Sequence, residues 1–509
     1  MPTHRSTPPE VWLEVLKALP TASLASVAET SRAFAALARP LLFAHFEFTP
    51  YHFSVGRRPA EGVYHVRGGE ELERATARLD TWTSGSVAPL VRSCSIRPWG
   101  PRESAVMVVV DGEQAAMQVS GLLTFFARIS RFTKLKSLIL DDVTLPRDAL
   151  ASVYRLLPAL EALHVVCHFS RRPRAFDTAA AAAVGKLRSL TLHTEPWDTT
   201  SHAVFLPFFI PATLRELNLS CNLLAWSNIP TFPAVTRLKI CPEFTVHREG
   251  ISSPTFAALL PRFPALEDLT IVGISRENPA VADVVAGCRS VVGTVRRLST
   301  RSSRAVEVFL TDASALRALS FLPGDHISKL CGLIEASRPP LVCFSLDLLT
   351  SEAPRLAPMW ACLPALRLLK IFFRRVFTGE PDPPEAAEAS KIAPAYLLSL
   401  TAPQALPRTL RALVLRWRFF TCSPTWPRKM THADFDLPAV ASAVAEANPA
   451  LTAIGVDAAS FALRWQRRAT GWEPWVDECA FAAENAVAYE YIQRGVEGMR
   501  VDRGLAASN

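Results

Sequence analysis

The chain has 509 residues, room for roughly three domains of ~150 residues or for one small module followed by a long repeat array. Hydrophobic residues make up 49% and charged residues 20%, enough apolar material for a continuous core and unlike the composition of a mostly disordered chain. Lys+Arg 55 minus Asp+Glu 47 leaves +8, a modest excess without the concentrated basic charge of a dedicated nucleic-acid binder.

The chain opens with three short amphipathic helices. Thr7-Pro8-Pro9-Glu10 predicts a helix start, with Thr7 capping the free amides, Pro8 at the first helical position and Glu10 completing a capping box. That helix runs to about Ala18, placing Val11, Val15, Leu16 and Leu19 at helical spacing before Pro20 ends the run. Thr21 or Ser23 caps a second helix carrying Leu24, Val27 and Ala28, and a third carries Phe34, Leu37, Ala38 and Leu41. So small a unit buries little surface alone. From pattern alone it either caps the domain that follows or completes its core on a partner.

Gly56 to Gly69 then reads as a loop, Glu71 to Trp82 as a helix and Val91-x-x-Cys94-x-Ile96 as an early strand. From Leu135 an L-x-x-L-x-L cassette recurs: Leu135/Leu138/Leu140, Leu160/Leu163/Val165, Leu187/Leu190/Leu192, Leu214/Leu217/Leu219, Val235/Leu238/Ile240 and Leu266/Leu269/Ile271. It continues through Val295/Leu298, Leu316/Leu319/Phe321, Leu341/Phe344/Leu346, Leu366/Leu369/Ile371, Leu410/Leu413/Leu415 and Leu451/Ile454/Val456. First-position intervals of 25, 27, 27, 21, 31, 29, 21, 25, 25, 44 and 41 match a leucine-rich repeat with two late insertions. A lead-in such as Leu157-Pro158-Ala159-Leu160 or Leu363-Pro364-Ala365-Leu366 holds the phase, and helical stretches such as Arg147 to Leu157 and Pro254 to Leu260 lie between cassettes. The last two apolar residues of each cassette alternate at period two, so both point inward and need the neighbouring repeat to cover them. The repeats are degenerate, since only Leu217-x-Leu219-x-x-Asn222 extends to the consensus Asn. The acidic, Pro-rich segment Gly379 to Glu385 falls in the 44-residue interval, as an exposed insertion should. After about Phe461 the cassette stops, and Trp465, Trp472, Trp475 and the helical-looking Cys479 to Gln493 are expected to close the open end.

Signatures of common chemistry are missing. No phosphate loop, G-x-G-x-x-G, H-E-x-x-H or G-x-S-x-G occurs, and the 10 cysteines contain no C-x-x-C. His164, Cys167 and His168 cluster in sequence, but strand alternation sends both histidines to the face opposite the cysteine, a poor metal geometry. Cys331 and Cys343 read as core filling rather than nucleophiles. The N-terminus lacks a signal-peptide core and no apolar run is long enough to span a bilayer, so a soluble protein of a reducing compartment, cytoplasmic or nuclear, is expected, with the Asn218 sequon unglycosylated. No cofactor and no metal are expected. The candidate recognition surface is the set of outward strand positions: Ser137, Ile139, His164, Thr191, His193, Glu216, Asn218, Arg237, Lys239, Asp268, Thr270, Arg297, Lys370 and Arg416. Arg237 and Lys239 neighbour Asp268, and a surface of mixed sign suits a protein or peptide better than nucleic acid.

The stretch Thr7 to Leu16, with Leu19-Pro20, Leu24, Val27, Ser31-Arg32, Phe34 and the run Arg39 to Phe43, resembles an F-box, in the variant common among fungal proteins. The resemblance covers about 40 residues and implies docking onto the Skp adaptor, and through it a cullin, by Pro8, Pro9, Val11, Trp12, Leu16, Leu19, Pro20, Leu24, Val27, Ser31 and Phe34. Thr7 stands where the family usually has Leu, which removes one apolar contact. The degenerate repeats are similar to those of F-box proteins. The expected architecture is therefore α/β: a three-helix F-box over 6–46, a linker and first part of the solenoid over 47–130, a leucine-rich-repeat array over 131–460 with insertions near 373–409 and 417–440, and a C-terminal cap or tail over 461–509. Parallel strands would line the concave face and helices the convex one. The implied function is a non-catalytic substrate receptor of a Skp-cullin-F-box ubiquitin ligase holding a protein target on the strands. The alternatives are a leucine-rich-repeat scaffold unrelated to ubiquitin, or an enzyme or nucleic-acid binder with an unrecognised site.

Overall fold

The structure, a computed structural model, describes residues 7–48, 69–96, 121–145, 148–169, 185–194, 202–220, 230–241, 256–271, 281–312, 315–321, 327–374, 395–402, 404–418, 437–458, 461–468 and 471–474. The N-terminal helices are α1 Pro9–Lys17, α2 Thr21–Thr30 and α3 Arg32–Leu42. The capping box of Thr7 and Glu10 does not form. Pro8 is the cap of α1, and its carbonyl accepts the amides of Val11 at 3.1 Å and Trp12 at 3.3 Å. Because Pro9 follows it, Pro8 is held extended with ψ at 144°, so the first helical place moves on by one residue. Pro20 likewise precedes α2 in place of a Thr21 or Ser23 cap, whereas Ser31 caps α3 through its hydroxyl, accepting from the Phe34 amide at 3.1 Å. Leu16, Leu24 and Ala38 form the bundle core, flanked by Leu19, Val27, Ala28, Leu37, Leu41 and Leu42.

Two residues after α3 the chain is already in a strand. β1 His45–Phe48 pairs in parallel with β2 Ser93–Ile96, and the Ala44 carbonyl accepts the amides of Arg92 at 2.8 Å and Ser93 at 2.9 Å. The helical module therefore ends at Leu42 rather than at 46, and 43–48 belong to the ladder. Phe43/Phe46/Phe48 is the cassette written in aromatics, which a leucine pattern does not reveal; Phe46 and Phe48 occupy the register of Cys94 and Ile96, and these that of Leu138 and Leu140.

The chain divides into two compact units, the first reaching Val235 and the second beginning at Thr236. In the first, β1 and β2 continue into β3 Ser137–Leu145, β4 Ala162–Phe169, β5 Ser189–Thr194 and β6 Glu216–Ser220, each parallel to its predecessor. In the second, β7 Arg237–Cys241, β8 Asp268–Ile271, β9 Arg297–Thr300, β10 Ala318–Phe321, β11 Cys343–Leu349, β12 Leu368–Arg374, β13 Ala412–Arg418 and β14 Ala453–Ala458 do the same. Parallel neighbours need crossovers, supplied among the described residues by helical segments such as α4 Gly69–Trp82, the helix Ala149–Leu156 and the 3-10 stretch Thr350–Cys362. Each unit is thus a mixed α/β, leucine-rich-repeat-like ladder. All twelve cassettes lead into strands with their later positions inward: Leu138, Leu163, Leu190, Leu238, Leu298, Leu369 and Leu413 are all buried, and Thr300 takes the last inward place of the Val295/Leu298 cassette.

The end of the ladder differs from the expected cap. β15 Phe461–Arg468 runs antiparallel to β14, and β16 Gly471–Pro474 antiparallel to β15. The link from Ala458 to Phe461 is too short for a crossover, which forces the reversal. Trp465 shares the inward face with its partner Ile454 and is 1% exposed. Trp475, the helical-looking 479–493, the 379–385 insertion, Asn222 and the 56–68 loop lie outside the described residues.

Candidate functional site

The first candidate surface is one side of α1. Apolar residues at 11, 12, 15 and 16 form two stripes on this helix, and Leu19 follows just past its end. The bundle covers one stripe: Leu16 is buried to 1% exposure, with Leu19 packed beside it. The other stays open, with Val11 50%, Trp12 37% and Val15 46% exposed. Phe34 of α3 meets Trp12 edge to face, ring centroids 5.1 Å apart, and so props the open stripe from below. Pro8, Pro9 and Pro20 are also exposed. The residues expected to dock thus divide. Pro8, Pro9, Val11 and Trp12 present surface, Phe34 supports them, Ser31 caps α3, and Leu16 and Leu24 belong to the bundle core with Leu19 and Val27 packed against it. Leu16 and Leu24 are corrected from contact to core residues, since a buried side chain has no area to offer a partner. Val15 joins the open stripe instead.

The strand that follows α3 is locked into the ladder by aromatic rings. Phe46 stacks on Trp82 of α4 at 4.8 Å and lies 5.8 Å from Phe132, while Phe43 meets Trp82 edge-on at 5.3 Å. Phe48 stacks on Phe125 at 5.6 Å. Rings interlocked from three chain segments, with Phe43 and Phe46 both on Trp82, leave little freedom for a hinge between α3 and β1.

The second candidate surface is the outward face of the strands, where register places the candidate residues in rows. In the first unit one row runs Glu47, Ser95, Ile139, His164, Thr191, Asn218, and a second runs Ser93, Ser137, Ala162, Ser189, Glu216. His193 Nε2 lies 3.2 Å from Asn218 Oδ1, and the Ser189 hydroxyl donates to Glu216 at 3.4 Å. His164 faces outward and Cys167 inward at 1% exposure, so they share no site. In the second unit Arg237, Asp268 and Arg297 form one row, with Arg297 and Asp268 paired at 3.7 Å, and Lys239 and Thr270 lie beside them.

Further along, this face closes. The Arg297 row continues as Ala318, Cys343, Leu368, Ala412 and Ala453, all buried. Lys370 and Arg416 are each only 8% exposed and Asp347 3%, with Lys370 Nζ 4.5 Å and the Arg416 guanidinium 5.8 Å from the centre of the Phe372 ring. Cations gathered over an aromatic face are held in place, so Lys370 and Arg416 are corrected from open recognition residues to packed ones. Phe372, which sequence reading missed, is the reason; its outward place was legible from period two alone.

No arrangement for catalysis assembles among the described residues. Burial pushes the thiols of Cys288 and Cys343 up to about 12, and that of Cys94 higher still, which leaves them protonated and inert. No group of three His, Cys, Asp or Glu that could hold a metal ion occurs among the described residues, and no described helix is long and apolar enough to cross a membrane.

No family model matches the chain, and no curated protein sequence matches it. Among solved structures, the TLR13–ssRNA13 complex aligns at 14% identity with a TM-score of 0.31, over 60% of this chain and 45% of that one. The chain thus spans under half the length of that structure. The leucine-rich-repeat character rests on the strand register and the cassettes themselves.

Proposed function

We propose that the protein is a non-catalytic interaction protein, a receptor that docks onto a Skp-type adaptor of a cullin ubiquitin ligase through its N-terminal helices and holds a protein client on its strand ladder. One observation carries the reading: α1 keeps an apolar stripe of Val11, Trp12 and Val15 exposed on a bundle whose other stripe is already satisfied. Such a stripe on a folded module is what a partner covers. The F-box-like order of residues names the partner, and the ring-locked junction at Phe46 supports the mechanism. A client held at a fixed distance from the transferring enzyme meets it at high effective concentration, so the receptor itself needs no chemistry.

The test mixes the full chain with a purified Skp-type adaptor on a size-exclusion column, beside the variant V11D/V15D. Co-elution is expected for the natural chain and none for the variant, with the two sharing one thermal melt. Absence of a complex with the natural chain, or an undiminished complex with the folded variant, would overturn the proposal in favour of a repeat scaffold outside the ubiquitin system.

A further inference from the structure

We propose that the leading edge of the strand ladder in the second unit, where the chain enters each parallel strand, binds an acidic peptide segment of a protein partner. The second residue of each cassette lies on this edge. From β9 to β13 these residues are Arg296, Arg317, Val342, Arg367 and Arg411, and every one of the four arginines is exposed. Their spacing is fixed by backbone bonding. The Arg296 carbonyl accepts the amides of Arg317 at 2.8 Å and Ala318 at 3.0 Å, and the Arg367 carbonyl accepts those of Arg411 at 2.8 Å and Ala412 at 2.9 Å. Arg296 and Arg317 therefore sit on adjacent strands ~4.8 Å apart, as do Arg367 and Arg411.

One of the four has structural work. Arg317 Nη1 donates to the Pro340 carbonyl at 3.3 Å and so ties down the next lead-in turn, as Arg467 does for Pro449 at 3.0 Å. Arg296, Arg367 and Arg411 make no side-chain hydrogen bond or ion pair with any described residue. Like charges opposed on neighbouring strands repel. Four of them on one edge make a local positive field that an external anion would relieve.

A cleft of about 610 Å³ opens on the same edge, lined by Ala265, Glu267, Gly293, Arg296, Ala315 and Arg317. A Cβ built on Gly293 would meet nothing within 4 Å, so this part of the lining leaves room for a side chain from outside. Arginine forks match carboxylates two bonds at a time. Carboxylates three or four places apart on a helix lie about 5–6 Å from one another, close to the strand repeat. Nucleic acid fits less well, because no aromatic ring lines the cleft for base stacking, and Glu267 in the lining confines an incoming carboxylate to the arginine side. This edge is distinct from the α1 stripe, so it can fail without the adaptor reading failing, and the reverse.

The experiment uses the full chain and a fluorescein-labelled Glu/Ala peptide of ~16 residues, which as a helix would outreach the ~19 Å spanned by four strand repeats. Anisotropy titrations compare the natural chain, R296E/R367E/R411E and the control R289E/R355E, which reverses exposed charges off this edge. The edge variant is expected to bind at least roughly tenfold more weakly, the control within about twofold of the natural chain, and the natural complex to weaken steeply with salt. A Gln/Ala peptide should not bind. The proposal is overturned by no binding of the acidic peptide, by equal loss in edge variant and control, or by a single-stranded RNA that binds the natural chain more tightly than the peptide and is lost in the edge variant.

Discussion

Replacing Phe46 by Ala tests whether β1, the strand that follows the helical bundle, is locked into the ladder. Phe46 is 1% exposed and touches three rings, with centroids at 4.8 Å to Trp82, 5.8 Å to Phe132 and 6.1 Å to Phe48. Truncating a buried Phe costs about 3–5 kcal/mol, the removed apolar surface plus the cavity left behind. Each repeat leans on its neighbours, so the loss should be felt most in β1 and β2 rather than evenly along the chain. The sensitive reporters are the amides of Arg92 and Ser93, bonded to Ala44 at 2.8 and 2.9 Å. At ~1.4 kcal/mol per factor of ten, hydrogen exchange there should accelerate by roughly a hundredfold or more wherever opening follows the local stability. Strands β12 and β13 of the second unit should exchange as before. Exchange mass spectrometry reads both. Unchanged protection over 92–96 would refute the argument, because it would mean that β1 contributes nothing to holding β2.

Leu16→Ala should destabilise the bundle by about 2–5 kcal/mol, whereas Val15→Ala should leave its melt nearly unchanged, since only the first is buried; circular dichroism of the paired variants separates them. Ser31→Ala and Ser302→Ala each remove a hydroxyl that caps a helix, accepting from Phe34 at 3.1 Å and Ala305 at 3.3 Å, and each should cost about 1 kcal/mol by denaturant titration. At pH 8 a thiol held up near 12 carries roughly 10⁻⁴ thiolate, so Cys288 and Cys343 should resist iodoacetamide until the chain unfolds, as peptide mapping would show. The same thiols keep their protons longer folded than unfolded, so stability should fall as pH rises from about 9 towards 12, measurable as a declining melting temperature that Cys343→Ala partly removes.

The phase of the repeat was legible from residues alone because an inward strand position calls for an apolar side chain. Apolar residues meet that demand at period two in the cassettes from Leu135 to Val456, with Thr300, 2% exposed, the inward exception. The outward rows followed from the same parity, which is why Ile139, His164, Thr191 and Asn218 share one line. Half of the second cassette positions are arginines, at 188, 215, 296, 317, 367 and 411, where a side chain at the strand edge can bond the next turn, as Arg317 does. What linear order could not supply was which apolar or charged groups neighbouring segments cover. Val11 and Leu16 are equally apolar, yet only packing against α2 and α3 buries one and leaves the other open. Lys370 and Arg416 look like solvated cations until Phe372 and the small residues of the adjoining row enclose them. Burial belongs to pairs of segments far apart in the chain, so the ladder could be read from its spacing, whereas the surfaces left for partners were decided only when the strands were stacked.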